Sequence, residues 1–326
     1  MIISKTPLRM SFVGGGSDLP SFYREHGGAV ISSAINAFVY IIIKEKFEEG
    51  IRLSYSKTEN VIKASEIEHP IVRNALKLSN FEESIEIISI ADIPSSGTGL
   101  GSSSSFTVGL LKALNKFKNI NLKNEELAES ACDIEINLCG SPIGKQDQYA
   151  AAFGGLRVYK FNKDDSVDIE KVNITSDISN SLDNETISFY IGGNRNANDI
   201  LADQQKQLVK KNKIKAMNRM VELVFELKRE LENNHLESFG EILHENWSLK
   251  KEMTANIANT TINDIYKLAM DNGAKGGKLL GAGGGGFMIF HVPSPDDRIK
   301  IEKKLVNIRK VNFSIYQNGS EMLTYK

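Results

Sequence analysis

The residues best suited to chemistry form a run of glycine and serine that leads directly into a helical pattern. Residues 94–105 read Pro-Ser-Ser-Gly-Thr-Gly-Leu-Gly-Ser-Ser-Ser-Ser. Glycine lets the backbone adopt positive φ and approach a ligand closely, and serine hydroxyls cap a helix that begins there. The unpaired N–H groups and the positive dipole end of that helix favour a polyanion. We therefore expect a phosphate-binding loop that consists of Pro94, Gly97, Gly99, Leu100, Gly101, Ser102, Ser103 and Ser104.

The segment after the serines repeats apolar residues at helical spacing. Its apolar positions, at i, i+4, i+7, i+8 and i+11, are Phe106, Leu110, Ala113, Leu114 and Phe117. This stripe predicts a helix with one buried face, which would hold its first turn rigid beneath the loop. A flexible linker of glycine and serine would instead be flanked by polar sequence.

Two further glycine segments, at residues 14–16 and 281–286, leave more than one interpretation open. Residues 281–286 formally match G-x-G-x-x-G, but a strand pattern follows them, whereas a dinucleotide-binding fingerprint lies early in the chain and opens a helix. No Gly-Lys-Ser/Thr follows any glycine segment, which excludes a P-loop. The consecutive glycines from Gly283 indicate either a tight connection or the close approach of a ligand. In the second case Gly283 and Gly284 would contact the substrate.

Taken in order, these segments resemble the GHMP family, named for galactokinase, homoserine kinase, mevalonate kinase and phosphomevalonate kinase. The run from Pro94 is similar to the family's nucleotide loop, residues 278–287 are similar to its C-terminal glycine motif, and residues 7–18 resemble the N-terminal motif of its sugar kinases. The resemblance covers nearly the whole chain. It implies a two-domain α+β protein, the first domain like domain 2 of ribosomal protein S5 and the second ferredoxin-like, that binds ATP and Mg²⁺ between the domains.

The resemblance also implies roles for individual residues. In such kinases a serine of the loop and a helical glutamate hold the metal, and these correspond to Ser103 and Glu135. Asp147, within Gly-Lys-Gln-Asp-Gln-Tyr, corresponds to an aspartate that contacts the acceptor hydroxyl, with Arg9 as its cationic neighbour. Such a carboxylate would accept the hydroxyl proton or align the oxygen for in-line attack. The alternatives are a solvated Glu135, a helix-capping Asp147 and a surface ion pair for Arg9.

Departures from the galactokinase pattern indicate the acceptor. Asp18 stands where the sugar kinases place a hydroxyl-binding aspartate, whereas Gly15 and Gly16 replace a glutamate and a histidine that contact the far end of the hexose. The missing side chains leave room for a longer sugar, and consecutive glycine amides can bind an anion. The pattern most resembles that of the D-glycero-D-manno-heptose 7-phosphate kinases, which phosphorylate the anomeric hydroxyl. The acceptor would then carry a phosphate at its far end, and the candidates for binding that phosphate are Gly14, Gly15, Gly16, Lys145 and Arg195.

Two other functions fit the same motifs. A fucokinase-like enzyme or another sugar-1-kinase would share the phosphate loop and differ in its acceptor pocket. A protein of kinase ancestry that senses ATP and a sugar without turnover belongs to a different class, and the presence of Asp147, Arg9 and Ser103 argues against it.

The elements that must position these residues divide the chain in two. Strand patterns dominate before the phosphate loop, helical patterns enter after it, and a polar, turn-rich stretch at 162–183 separates the two parts. We expect domains at residues 1–175 and 176–326, and an α+β class, because strands and helices mix without regular alternation. The predicted strands are residues 8–13, 37–44, 51–55, 85–91, 156–161, 187–191, 287–292 and 311–316.

Composition limits the possible partners and compartment. The 326 residues carry 40 basic and 41 acidic side chains, and a net charge of −1 gives no overall attraction to nucleic acid or to a membrane. Cys132 and Cys139 show no metal-ligand or disulfide spacing, and the first residues show no secretory signal pattern, which favours a cytoplasmic protein. The helical segments within 198–254 form either a core stripe with a solvated back or a homodimer face.

Overall fold

The computed structural model describes residues 1–81, 84–93, 97–193, 197–208, 210–254 and 256–323. A 3₁₀ segment lies at Ala64–Glu66 and a π-helical segment at Asp133–Leu138. The strands, in chain order, are β1 (Ile2–Val13), β2 (Gly28–Glu45), β3 (Ile51–Ser54), β4 (Thr58–Val61), β5 (Ile85–Ala91), β6 (Leu156–Phe161), β7 (Val167–Lys171), β8 (Thr186–Gly192), β9 (Gly276–Leu279), β10 (Gly286–His291), β11 (Arg309–Lys310) and β12 (Glu321–Leu323). The α-helices are α1 (Pro20–His26), α2 (Pro70–Leu78), α3 (Ser102–Phe117), α4 (Asn124–Cys132), α5 (Gln146–Phe153), α6 (Ser176–Glu185), α7 (Ala197–Gln207), α8 (Lys211–Glu232), α9 (Ser238–Met253), α10 (Thr260–Asp271) and α11 (Pro295–Lys304).

The first sheet is built around the long strand β2. Its strands run in the order β12-β1-β2-β5-β3-β4, and β6 pairs with both β2 and β7. Neighbouring strands are antiparallel, except that β3 runs parallel to β5. Helix α3, which follows the phosphate loop, packs against β1 and β2. Its stripe of Leu110, Ala113 and Leu114 is buried, which confirms the helix predicted after the serines.

The second sheet has the connectivity of a ferredoxin-like domain. Its order is β11-β8-β10-β9, so the first and third of these strands along the chain lie side by side at the centre, and all neighbours are antiparallel. The helices α7 to α10 connect β8 to β9, and α11 connects β10 to β11. Helices and two largely antiparallel sheets confirm the α+β class.

The long helices of the second half bury their apolar stripe within the chain itself. Met217, Leu223, Leu227 and Leu231 on α8 are fully buried, and α8 packs against α9 and against strands β1 and β2. These residues therefore form core rather than a homodimer face. Among the described helices, none has the combination of length and apolarity that crossing a bilayer requires.

The chain end differs from the strand expected at 311–316. Within the described residues the ladder with β8 comprises Arg309–Lys310, the Val311 amide still donates to the Ser188 carbonyl oxygen at 3.0 Å, and Ile315 forms an isolated bridge with Ile35 of the first sheet. The chain then returns to the first sheet, where β12 pairs with β1. A residue pattern indicates which face of a strand is buried but not which sheet the strand joins. The return of the chain from the second sheet to the first therefore left no signal in the local sequence. The division at residue 175 stays a prediction.

Candidate active site

A cavity of about 480 Å³ lies where the segments expected to carry chemistry meet. Strand β1 and the loop after it supply one wall, and the start of α3 supplies another. Further lining residues come from the π-helical segment, the start of α5 and the segment before it, helices α7 and α9, and β9 with the turn that follows it. The cavity therefore collects residues from both sheets of the protein.

The glycines of the phosphate loop adopt the backbone conformation that the sequence predicted. Gly97, Gly99 and Gly101 have φ of 71°, 74° and 74°, and Gly101 is the N-cap of α3. Glycine, which has no side chain, occupies the N-cap position, so the expected capping by a serine hydroxyl at this position is wrong. The first N–H groups of a helix have no acceptor within the helix, and Ser102, Ser103 and Ser104 of this first turn line the cavity.

The serines of the loop have different partners. The Ser103 hydroxyl donates to Glu135, the Ser105 hydroxyl donates to the Pro7 carbonyl oxygen 2.8 Å away, and the Ser102 hydroxyl lies 3.4 Å from that of Thr98. The cavity lining includes residues 97–99, Gly101, Ser102, Ser103 and Ser104, whereas Leu100 is buried beneath it. Pro94, also expected in the loop, lies outside the described residues.

The C-terminal glycine motif supports the phosphate loop by backbone contact. A Cβ at position 99 would lie 2.3 Å from the Leu280 carbonyl oxygen, and one at position 281 would lie 2.5 Å from the Gly99 Cα. The Phe287 amide donates to the Thr98 carbonyl oxygen at 3.1 Å. Glycine is therefore required on both sides of this contact, because any side chain would separate the loop from the turn between β9 and β10.

Arg9 and Asp147 form a bidentate ion pair at the start of α3. Arg9 Nε donates to Asp147 Oδ1 and Nη2 to Oδ2, both at 2.7 Å. Arg9 is 4% exposed, and Asp147, on the first turn of α5, reaches the cavity. A Cβ at Gly101 would lie 3.3 Å from Asp147 Oδ2, so this carboxylate borders the end of the phosphate loop. Neither a surface ion pair nor a capping aspartate describes this geometry.

Glu135 is a buried carboxylate rather than a solvated one. It is 1% exposed and lies in the π-helical segment, a local widening that is frequent at functional sites. Ser103 Oγ donates to its Oε1 at 2.7 Å and Gln148 Nε2 to its Oε2 at 2.6 Å. Burial raises the pKa of Glu135, and the hydrogen bonds from Ser103, Ser104 and Gln148 oppose that shift.

Asp18 is held in place at the cavity by hydrogen bonds from the loop after β1 and from the start of α5. Its Oδ1 accepts from the Gly16 amide at 2.9 Å and from Gln146 Nε2 at 3.1 Å, and its Oδ2 accepts from the Gln146 amide at 3.2 Å. Burial raises the pKa of Asp18, and the charge of Asp147 raises it further. The two carboxylates therefore line one end of the cavity close enough to influence each other.

Two of the three glycine amides expected to bind an anion are already engaged. The Gly16 amide donates to Asp18, and the Gly14 amide donates to Asn246 Oδ1 at 3.1 Å. The carbonyl oxygen of Gly15 accepts from Lys250. Two of the three donors that the predicted anion nest needs are therefore used to shape the loop, and the binding of an anion at residues 14–16 stays a prediction.

Three other residues expected to contact substrate do not reach the cavity within the described part of the chain. Lys145 Nζ donates to the Asp165 carbonyl oxygen at 2.7 Å and lines a separate surface pocket. Gly283 packs on the Ile257 backbone, and the Gly284 amide donates to the Ile257 carbonyl oxygen at 2.9 Å. These glycines thus form a tight connection, as in the first interpretation above. Arg195 lies outside the described residues.

The cavity is also lined by two buried lysines that were not predicted from the sequence as site residues. Lys250, on α9, donates to the Gly15 carbonyl oxygen at 2.9 Å, and burial lowers its pKa to about 8. Lys278, on β9, donates to the carbonyl oxygens of Ser11 and Phe12 at 2.7 and 2.8 Å. Burial lowers the pKa of Lys278 well below its ordinary value, and the charges of Lys250 and Arg9 lower it further. Lys278 opens the C-terminal glycine motif and offered a signal, whereas Lys250 lies on an ordinary amphipathic helix.

Two segments of the chain match models of known protein families. Residues 60–155 match the family described as the GHMP kinases N terminal domain, and residues 227–309 match GHMP kinases C terminal. The first match contains the phosphate loop, Glu135 and Asp147, and the second contains Lys250 and the C-terminal glycine motif.

Individual relatives extend over the full length of the chain. A D-glycero-alpha-D-manno-heptose 7-phosphate kinase of Campylobacter jejuni is 30% identical over 318 residues, covering 93% of each protein. The crystal structure of a D-glycero-D-manno-heptose 1-phosphate kinase from Bacteroides thetaiotaomicron has a TM-score of 0.82 at 25% identity and covers 100% of both chains. A bifunctional fucokinase/GDP-fucose pyrophosphorylase of Arabidopsis thaliana is 24% identical, covering 95% of this chain and 32% of its own length.

Proposed function

This chain belongs to the GHMP kinase family and is an ATP-dependent kinase, and we propose that it phosphorylates the anomeric hydroxyl of D-glycero-D-manno-heptose 7-phosphate. The products would be ADP and the 1,7-bisphosphate. This bisphosphate would serve the synthesis of nucleotide-activated heptose for surface polysaccharide, in the cytoplasm where ATP is available.

The observation that carries the proposal is the Arg9–Asp147 pair beside Gly101. Phosphoryl transfer depends on positioning and on stabilisation of charge, since the transition state involves little covalent chemistry by the protein. Asp147 Oδ atoms would accept a hydrogen bond from the anomeric hydroxyl and take its proton as the O–P bond forms. The Arg9 guanidinium would offset negative charge on the transferred group, and the amides at the start of α3 would hold the remaining phosphates.

The Ser103–Glu135 pair fits a magnesium ion. A hydroxyl and a carboxylate are hard oxygen ligands, and Mg²⁺ usually takes one or two protein ligands together with phosphate oxygens and waters. Within the described residues no group of three or more histidine, cysteine or acidic side chains forms a metal cluster, which agrees with such a sparse site. Bound there, the ion would neutralise charge on the phosphates of ATP.

Three observations support a phosphorylated heptose as the acceptor. Asp18 is held rigidly at the cavity and would accept hydrogen bonds from sugar hydroxyls. Gly15 and Gly16 line the cavity next to Asp18, and the absence of a side chain at Gly16 lets Lys250 reach the loop. The Campylobacter and Bacteroides relatives are both named for heptose phosphates, although the names give different positions for the phosphate.

A comparison of acceptors tests the proposal. With saturating ATP, we expect kcat/KM for heptose 7-phosphate to exceed that for mannose, fucose and unphosphorylated heptose by at least about tenfold, since a charge-assisted hydrogen bond contributes that much. A preference for fucose would favour the second candidate, a fucokinase-like enzyme, which the Arabidopsis relative supports. ATP binding without turnover of any of these sugars would instead indicate a sensor.

A further inference from the structure

The part of the cavity at Gly15 and Gly16 includes a lysine that the mechanism above leaves without a role. Lys250 is 6% exposed, lines the cavity, and donates from Nζ to Gly15 O at 2.9 Å and to Gln204 Oε1 at 3.0 Å. Resting on the function proposed above, the geometry points to Lys250 as the residue that binds the distal phosphate of the acceptor. Gln204, on α7, is its positioning residue.

The ammonium group of Lys250 retains the capacity to bind an anion. An ammonium has three N–H donors, and two of them are spent on neutral oxygen atoms. Among the described residues no carboxylate lies within ion-pairing distance of its Nζ, although Asp18 influences it through space. A buried cation without a counter-ion is unfavourable, and a phosphate dianion from the substrate would supply the missing charge.

Gln204 provides a second unsatisfied donor at the same place. Its side chain is fully buried, its Oε1 accepts from Lys250, and its Nε2 has no hydrogen-bond partner among the described residues. A Cβ at position 16 would lie 2.3 Å from this Nε2 and 3.0 Å from Lys250 Nζ. The absence of a side chain at Gly16 therefore lets both groups reach over the loop that holds Asp18.

The position of Lys250 favours the acceptor over the nucleotide. Gly15, whose carbonyl oxygen Lys250 binds, lies beside Ser11 and Gln146, and Gln146 holds Asp18. The phosphate loop, in contrast, contacts Arg9 and the turn at Leu280. Lys278 also lines the cavity, and its amine interacts electrostatically with both Lys250 and Arg9. The part of the cavity at Lys250 is therefore suited to the phosphate of the sugar, whereas Arg9 already serves the phosphate that is transferred.

The experiment compares removal of a lysine charge inside the cavity with removal of a lysine charge on the protein surface. Lys250→Met and Lys215→Met, the second on the exposed face of α8, are assayed with heptose 7-phosphate and with unphosphorylated heptose at saturating ATP. We expect Lys250→Met to raise the KM for heptose 7-phosphate by about 10- to 100-fold, the value of a charge-assisted hydrogen bond. Its kcat/KM for unphosphorylated heptose should fall about tenfold less than that for heptose 7-phosphate, and Lys215→Met should match the wild type with both sugars.

Additional variants separate binding of phosphate from structure. Lys250→Gln removes the charge but keeps a hydrogen-bonding group, and it replaces the methionine variant if that variant fails to fold. Lys250→Arg should retain most of the preference for the phosphorylated sugar. Gln204→Leu should raise the KM for heptose 7-phosphate and leave kcat unchanged, a split that a purely structural role would not produce.

The outcomes distinguish this inference from the proposed function. If Lys250→Met lowered kcat/KM equally for both sugars, the assignment of Lys250 would be overturned, because the residue would then serve the transferred phosphoryl group or the fold. A wild-type enzyme that prefers an unphosphorylated sugar would instead overturn the proposed acceptor itself. A loss of kcat/KM that is larger for heptose 7-phosphate than for heptose would support both the role of Lys250 and the proposed acceptor.

Discussion

Arg9 and Asp147 are joined by two parallel hydrogen bonds of 2.7 Å, and the same arginine is bonded to the phosphate loop. Its Nη1 donates to the Gly99 carbonyl oxygen, and its amide donates to the Leu100 carbonyl oxygen at 2.9 Å. One residue of β1 thus fixes the carboxylate of α5 relative to the loop before any ligand binds. Such preorganisation is the main requirement of in-line phosphoryl transfer.

Asp147→Asn should separate chemistry from nucleotide binding. The amide keeps the shape of the side chain but cannot accept the hydroxyl proton, so we expect kcat to fall by about 10²- to 10⁴-fold with little change in ATP affinity. Single-turnover rates and calorimetric ATP binding measure the two quantities, with Asp168→Asn on exposed β7 as the control. Loss of ATP binding in Asp147→Asn would mean that the aspartate has a structural role.

Gly99→Ala should disrupt the contact between the phosphate loop and the turn at Leu280. Gly99 and Gly27 both have φ of 74°, but a Cβ would meet the Leu280 carbonyl oxygen at 2.3 Å in the first case and nothing within 4 Å in the second. Gly27→Ala should therefore lose only about 1 to 3 kcal/mol of unfolding free energy to backbone strain, since Gly27, with φ 74° and ψ 153°, lies in a region that is favoured by glycine.

The kinetic effect distinguishes the two glycines further. A displaced loop should lower kcat/KM for ATP by about 10²-fold in Gly99→Ala, whereas Gly27→Ala should leave it unchanged. Equal kinetic effects in both variants would show that backbone strain alone, and not the loop contact, is responsible.

Glu135→Gln should change the response to magnesium. The neutral amide retains hydrogen-bonding capacity, and Gln148 can rotate to match it because its Oε1 has no partner. We expect the Mg²⁺ concentration for half-maximal rate to rise by about 10- to 100-fold, as is typical when metal-site support is weakened. Glu129→Gln, an exposed position on α4, provides the control, and an unchanged Mg²⁺ response in Glu135→Gln would exclude Glu135 from the metal site.

Lys250 should make sugar-phosphate binding dependent on pH. Burial lowers the pKa of Lys250 to about 8, so the amine holds its proton below that pH and loses it above. Asp18 and Lys278 are the charged groups that face it. The KM for heptose 7-phosphate should rise above about pH 8, approaching tenfold per pH unit, because the neutral amine no longer attracts the phosphate.

Lys250→Arg provides the check on that pH profile. A guanidinium stays protonated over this range, so the variant should show a flat KM for heptose 7-phosphate up to about pH 10. The same rise in the arginine variant and in the wild type would assign the titration to another group.

The sequence predicted the parts of the site that lie within continuous motifs. The phosphate loop contains Gly99, Gly101 and Ser103 within one continuous segment. Its residue types alone indicate positive φ and the start of a helix. Asp147 and Arg9 are far apart in the chain, and their pairing was expected only because the family resemblance relates them. The π-helical geometry that buries Glu135 left no recognisable residue pattern.

The differences between expectation and structure arose where tertiary contacts decide what a residue does. Lys145 has the residue type of a phosphate ligand, but the fold directs it to Asp165. Gly16 has the flexibility of an anion nest, but a neighbouring carboxylate takes its amide. Lys250 became visible only when helix α9 was placed against the loop after β1, since a buried lysine and an exposed one look alike in a helical pattern.

The position of the new phosphate tests the central claim most directly. Wild-type enzyme is incubated with ATP and D-glycero-D-manno-heptose 7-phosphate, and the product is examined by phosphorus NMR with proton coupling. We predict ADP and a sugar with two phosphate esters in equal amounts, the new one coupled to the anomeric proton. A phosphate on any other carbon, or ATP consumption without a second ester on the sugar, would contradict the claim that this cavity directs the anomeric hydroxyl to Asp147.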